Sequence, residues 1–212
     1  MHMQLSFDKT CFPLIRIDKA KVQVQLLPVT KVQFERFLAE PNEFDDGWYE
    51  AILKLNPRVS YRQFTQDNRE GIFITGILPW EALSFARWMG NGFRLPTVRE
   101  WRMIYSVLKS RKIEGEELRD LVSQFGEGQA KIILERLVEQ ISHQAQRDEL
   151  SWLDLSLMHG GLVEWVEEDG RYVGLGAPRS EFYPNLWNPI TEVIKPVRGN
   201  ERLFFFGFRL VR

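Results

Sequence analysis

Sulfur and imidazole are scarce in this sequence. One cysteine, Cys11, stands among 212 residues. A lone thiol excludes an internal disulfide and any centre built on two thiolates of the same chain. It also points to a reducing compartment. The histidines number three, His2, His143 and His159. His2 sits in a Met1-His2-Met3 opening and is given no weight. Two distant histidines do not make a facial metal set, so no metal ligands are assigned. His143 lies beside Gln144 and Gln146 and reads as a solvated helix residue; His159 reads as a turn residue. No apolar run approaches the roughly 20 residues of a membrane span. Neither sign of charge dominates: 28 Lys and Arg face 29 Asp and Glu, for a net charge of −1. Bulk charge therefore recruits neither nucleic acid nor an anionic membrane. The N-terminus lacks the basic and apolar regions of a signal peptide, so a cytoplasmic location is expected. A phosphate-cradling glycine loop, a dinucleotide fingerprint and a Ser-His-Asp set are all missing.

Aromatics are plentiful: 13% of the chain, with seven Trp and fifteen Phe. Either the core or a recognition surface is built from them. A chain of this length buries roughly 70% of the surface its unfolded form exposes and needs no staple.

Alternation at Ile15, Ile17, Val22, Val24 and Leu26 predicts short strands around an Asp18–Lys21 turn. Thr30 and Gln33 have capping-box spacing and open a helix carrying Phe34, Phe37 and Leu38, which Pro41-Asn42 ends. Residues 42–78 read as mostly loop. Ala82, Phe85, Ala86 and Met89 form the apolar stripe of a second helix, stopped by Gly90 and Gly92. Thr97 and Glu100 cap a third, with Trp101, Ile104, Tyr105 and Leu108 on one face. Residues 109–150 change character and read as a helical hairpin. Its stripes are Leu118, Leu121, Val122 and Phe125, then Ile133, Leu134, Leu137, Val138 and Ile141, separated by Gly126-Glu127-Gly128. Those stripes face either the core or a protein partner. From 151 onward, short strands are expected around Val163, Tyr172-Val173 and Phe204–Phe208. Glu167-Glu168-Asp169-Gly170 reads as a solvated turn, and Gly174-Leu175-Gly176 as a tight turn at a strand edge.

Four segments together resemble the formylglycine-generating, sulfatase-modifying family. They are Pro28-Val29-Thr30 with its aromatic helix; Trp80 to Trp88 running into Arg94-Leu95-Pro96-Thr97-Val98-Arg99-Glu100-Trp101; Gly160-Gly161-Leu162-Val163-Glu164-Trp165; and Gly207-Phe208-Arg209-Leu210-Val211. The likeness implies one α+β domain over residues 1–212, a C-type-lectin-like fold with a helical insert at about 109–150. It also implies that the first and last strands lie together. Trp80, Trp88, Trp101 and Trp165 are expected in the core, and Glu164 and Arg209 as buried partners of each other or of backbone.

Catalytic relatives oxidise cysteine with copper held by a cysteine pair near the C-terminus. Here no cysteine lies between Gly174 and Phe208, and a soft Cu(I) ion lacks its ligands. The expectation is a non-catalytic member with no catalytic residues and no cofactor. A family calcium site uses an Asn where this chain has Gly161; the loss of that oxygen counts against calcium as the one alternative cofactor.

By likeness to the retroelement-diversified variable proteins, the loop before the terminal strand is the binding face. It carries Arg179, Glu181, Phe182, Tyr183, Asn185, Trp187, Asn188, Arg198, Asn200 and Arg202. Tyr, Trp, Arg and Asn are residue types that make hot spots and adaptable polar contacts. Phe182, Tyr183 and Trp187 either pack the loop down or meet a ligand; the Arg and Asn side chains are expected in solvent. The expected partner is a protein or a small ligand, within a bacterial multi-protein system. A divergent enzyme and an assembly subunit built on the insert are the alternatives.

Overall fold

The computed structural model describes residues 5–40, 44–56, 72–113, 115–124, 128–145, 151–159, 162–176, 188–196 and 201–212. Three short strands open the chain: β1 (Leu5–Phe7), β2 (Pro13–Ile17) and β3 (Val22–Gln25). They pair antiparallel in that order, with Ile15 opposite Val24 and Arg16 opposite Gln23. Ile15 and Ile17 are buried while Arg16 between them is exposed; Leu14, on the face of Arg16, is buried in the second apolar cluster, so that face is open only at the Arg16 end. β1 was not anticipated; three residues are too few to show a period.

Helix α1 (Lys31–Leu38) has the expected capping box. Gln33 donates its N–H to the Thr30 hydroxyl, and Thr30 donates its own to the Gln33 side chain at 3.0 Å. The mostly-loop reading of residues 42–78 is corrected by α2 (Asp46–Leu55), a ten-residue helix. Its start is signalled by Asp45, whose side chain accepts the Trp48 N–H at 2.8 Å. Next come α3 (Pro79–Met89) and α4 (Val98–Lys109), with Pro79 at the first position of α3 and Gly90 past its end at a positive φ of 69° that suits glycine. The hairpin region forms α5 (Gly115–Gln124) and α6 (Gln129–Ala145). A five-residue α7 (Trp152–Ser156), absent from the expectation, leads into β4 (Val163–Glu168) and β5 (Arg171–Leu175). Asp169 and Gly170, both with positive φ, make the two-residue hairpin turn between them. β6 (Phe206–Gly207) pairs parallel to β4, giving the order β5-β4-β6.

The tail after β6 ties the fold together. Gln23 and Arg212 exchange both main-chain bonds at 2.9 Å, and Gln25 donates to the Leu210 carbonyl. On the other side Arg94 and Val211 exchange bonds at 2.9 Å, and Glu167 donates to the Pro96 carbonyl. β3 and the C-terminal tail therefore lie side by side, which brings the N- and C-terminal segments together as expected, and the Arg-Leu-Pro-Thr segment bridges the tail to β4.

Two apolar clusters fill the interior. One joins Ile15, Val24, Trp101, Ile104, Leu108 and Trp152 with Leu121, Ile133, Leu134 and Leu137. Leu121 of α5 and Ile133, Leu134 and Leu137 of α6 thus face the core, while Ile132 of α6 is exposed. The second is aromatic, built on Phe34, Phe37, Phe85, Trp165, Phe206 and Phe208. Phe34 stacks on Phe85 at 5.4 Å.

Trp101 and Trp165 are buried as expected, and Trp88 is half-buried. Trp80 is not in the core: it is 46% exposed. At 100° per residue it lies about 200° from Ala82, off the stripe that α3 buries.

Gly174 is not at a turn; it sits inside β5 opposite Trp165. A Cβ there would come within 2.5 Å of both the Phe206 ring and Val163. Replacing Gly174 by Ala is expected to cost about 1–3 kcal/mol through overpacking. A urea titration checks it; an unchanged midpoint would show that Phe206 yields freely.

Candidate functional site

The strand preceding the candidate face is rigidly set. Glu164 of β4 and Arg209 of the tail are fully buried and bonded through both carboxylate oxygens, at 2.7 and 2.6 Å. Trp101 donates its indole N–H to the same carboxylate at 2.9 Å. The guanidinium also donates to the carbonyls of Leu26 and Ser156, each at 2.8 Å, and to that of Gln25 at 3.2 Å. A buried charge pair is tolerated only when every lone pair and proton is used in this way. The pair holds β3, α4, α7, β4 and the tail in one arrangement.

The helix beside it is capped electrostatically. Hydrogen bonding from Arg94 holds the Glu100 carboxyl down at about 2, aided by bonds from Thr97 and opposed by partial burial. Arg94 and Glu100 meet through two bonds, at 2.7 and 2.6 Å. The folded-state value lies below the ordinary 4.5, so this contribution is present above about pH 4.5 and is lost as pH falls from there toward 2. Glu100→Gln is expected to remove part of the acid sensitivity in that window and to cost about 1 kcal/mol of cap stability at neutral pH. Thermal melts from pH 6 to pH 2 check it, and a variant whose melting falls as steeply as the parent's would contradict it.

The expected binding loop leaves β5 at Leu175. Of its candidate residues, Arg179, Glu181, Phe182, Tyr183, Asn185, Trp187, Arg198 and Asn200 lie outside the described residues; so do Gly160 and Gly161, and with them the position weighed for calcium. Asn188 and Arg202 are described. Asn188 is exposed, and its side-chain oxygen accepts the Ile190 N–H at 3.0 Å, closing a local turn. Arg202 is not a solvated contact residue. It donates to both oxygens of Glu81, at 2.8 and 2.5 Å, and to the Gly76 carbonyl at 2.9 Å. Glu81 is fully buried at the start of α3 and also accepts the Leu78 N–H and the Trp48 indole N–H. A carboxylate buried there needs a cation, and Arg202 supplies it.

Two further points anchor the loop. Gly174 and Ile194 exchange main-chain bonds at 2.7 and 2.8 Å, and Arg102 of α4 donates to the Pro189 carbonyl at 3.2 Å. Near the Arg202 anchor stands an aromatic group that the sequence reading assigned to the core or left unassigned. Trp80 packs 5.4 Å from Phe44, which stacks on Trp48 at 4.2 Å. Phe204, two residues from Arg202, is 71% exposed. The offset of Trp80 from the α3 stripe was the available signal for its exposure.

As for chemistry, Cys11 is exposed in the turn between β1 and β2, with a left-handed φ of 65°. A copper centre of the thiolate-pair type needs a second cysteine, and the sequence holds none. The residues of this chain therefore do not fit that group, and no step is derived through it. Among the described residues no three His, Cys, Asp or Glu side chains cluster as metal ligands. Glu81 and Glu164 are both saturated by donors. Among the described residues no helix is long and apolar enough to cross a membrane.

No curated protein matches the sequence. The family described as Sulfatase-modifying factor enzyme 1-like domain matches residues 2–212, which include the Arg94–Trp101 segment, the buried Glu164 and the buried Arg209. With practically the whole chain covered, the protein belongs to the sulfatase-modifying-factor family.

Proposed function

We propose that this protein is a non-catalytic member of its family, of C-type-lectin-like fold, that recognises a protein or small ligand through the loop face preceding the terminal strand. The observation that carries the reading is the anchoring of that loop. It is fastened to α4 through Arg102, to β5 through Gly174, and to α3 through Glu81 and Arg202. It carries Tyr183, Asn185 and Trp187 between β5 and the Pro189 anchor, and Arg198 between the Ile194 and Arg202 anchors. A long loop held on a rigid scaffold and rich in such side chains is a common form of recognition surface. The lone cysteine supports the non-catalytic half, because a soft-metal thiolate site requires two.

The test compares the parent chain with Trp187→Ala and Arg198→Ala in pull-downs from the native host. Recovery of partner is expected to fall about tenfold or more, the size of a hot-spot truncation. Unchanged recovery with both variants rejects the face. In parallel, the chain is incubated with Cu(I) and a cysteine-containing peptide. No aldehyde product is expected, and its formation rejects the non-catalytic reading.

A further inference from the structure

We infer that the outer face of the first sheet carries an anion site, formed by a row of side chains running across three strands. Arg16 on β2 lies directly opposite Gln23 on β3. Gln23 in turn exchanges both main-chain bonds with Arg212. Residues directly opposed in antiparallel pairs point to the same face. The row therefore reads Arg16, Gln23, Arg212, with two strand spacings, about 10 Å, between the outer Cα atoms. These three side chains line one cleft with Lys21, Val22 and Asn91.

Each guanidinium is held by its inner nitrogen. Arg212 Nε donates to the Gln23 side-chain oxygen at 2.7 Å, and Arg16 Nε donates to Asp18 at 2.7 Å. Gln23 donates its own amide to Ser6 at 3.2 Å, which fixes the direction of its oxygen. Among the described residues neither guanidinium bonds anything through its two outer nitrogens. Both forks are thus oriented and free, the arrangement that takes a carboxylate or phosphate in a bidentate way. Arg212 is further steadied over the Phe93 ring, 5.2 Å away.

No Asp or Glu side chain lines the cleft, and a neutral Gln separates the two arginines. Like charges on neighbouring strands weaken a sheet. A row serving stability alone would place an acid between them. Asp18, the acid that does approach, is 74% exposed and engages only the inner nitrogen of Arg16. Two forks on either side of one cleft suit a ligand with oxygens at both ends. The ligand class is a small multivalent oxyanion, a di- or polyphosphate or a polycarboxylate. The site stands on residues separate from the loop face and is independent of the recognition reading.

Sodium pyrophosphate and sodium citrate are titrated separately into the full-length isotope-labelled chain, with matched sodium chloride as control. The amide signals of Lys21, Gln23 and Asn91 are expected to shift and saturate, with a dissociation constant of about 1 mM or tighter. The double variant Arg16→Gln, Lys21→Gln is expected to bind about tenfold more weakly with an unchanged melting temperature, both side chains being exposed. Saturation with both anions supports a general oxyanion site; saturation with pyrophosphate alone also supports it and narrows the class to phosphates. Failure of those signals to saturate with either anion, or equal affinity in the double variant, overturns the proposal.

Discussion

Glu164→Gln is expected to destabilise the protein by about 3–5 kcal/mol, because it leaves the Arg209 cation buried without its counter-charge. Domains of this kind are stable by only about 5–15 kcal/mol, so the variant stands close to unfolding at ordinary temperature. Both side chains are fully buried and make two direct bonds. Arg209→Met is expected to be at least as severe: it strands the buried Glu164 carboxylate, and the carbonyls of Gln25, Leu26 and Ser156 lose their donor as well, each buried acceptor left bare costing about 1–3 kcal/mol. The double variant Glu164→Leu, Arg209→Met is expected to cost less than the sum of the two single changes, since neither charge is then stranded. It is not expected to be neutral, because the bare carbonyls remain. Urea-induced unfolding followed by circular dichroism gives all the values. A loss below about 1 kcal/mol for Glu164→Gln would contradict a dry, fully engaged pair.

Trp165→Ala is expected to cost about 3–5 kcal/mol, the range for deleting a large buried aromatic. Trp165 is 2% exposed and packs 4.4 Å from the Phe206 ring. Its indole N–H also donates to the Ile77 carbonyl at 2.5 Å, an acceptor on the segment leading to α3. Trp165→Phe keeps most of the packing but removes that donor, so a smaller loss of about 1–3 kcal/mol is expected. Thermal and urea melts of the two variants separate the terms. Equal losses would assign the whole effect to the hydrogen bond, against the packing account.

The elements legible in the sequence were those with local causes. Thr30 and Thr97 announced their helices because a capping box lies within four residues. The stripe of α3 and the Asp169-Gly170 turn are likewise short-range patterns. Helix α2 was hidden within residues 42–78, which read as mostly loop, although Asp45 was an available cap. The buried Glu164–Arg209 pair was foreseen through the family resemblance, not through any local signal, for the two residues are 45 positions apart.

The candidate site was less legible. Arg202 looked like a contact residue because charge in a loop usually meets water. Only the fold brings it to Glu81, 121 positions away, and turns it into an anchor. The exposure of Trp80 depended on the helix phase, and the Arg16–Gln23–Arg212 row on strand register, which no single strand encodes.

The sequence alone determined composition, caps, turns and the lack of a second thiol, because each is a property of one residue or of near neighbours. Tertiary structure alone decided which charges are buried together, which aromatics face outward and which cations share a face. Those depend on contacts between residues far apart in the chain, whose free energies exist only once the backbone has brought them within a few ångströms.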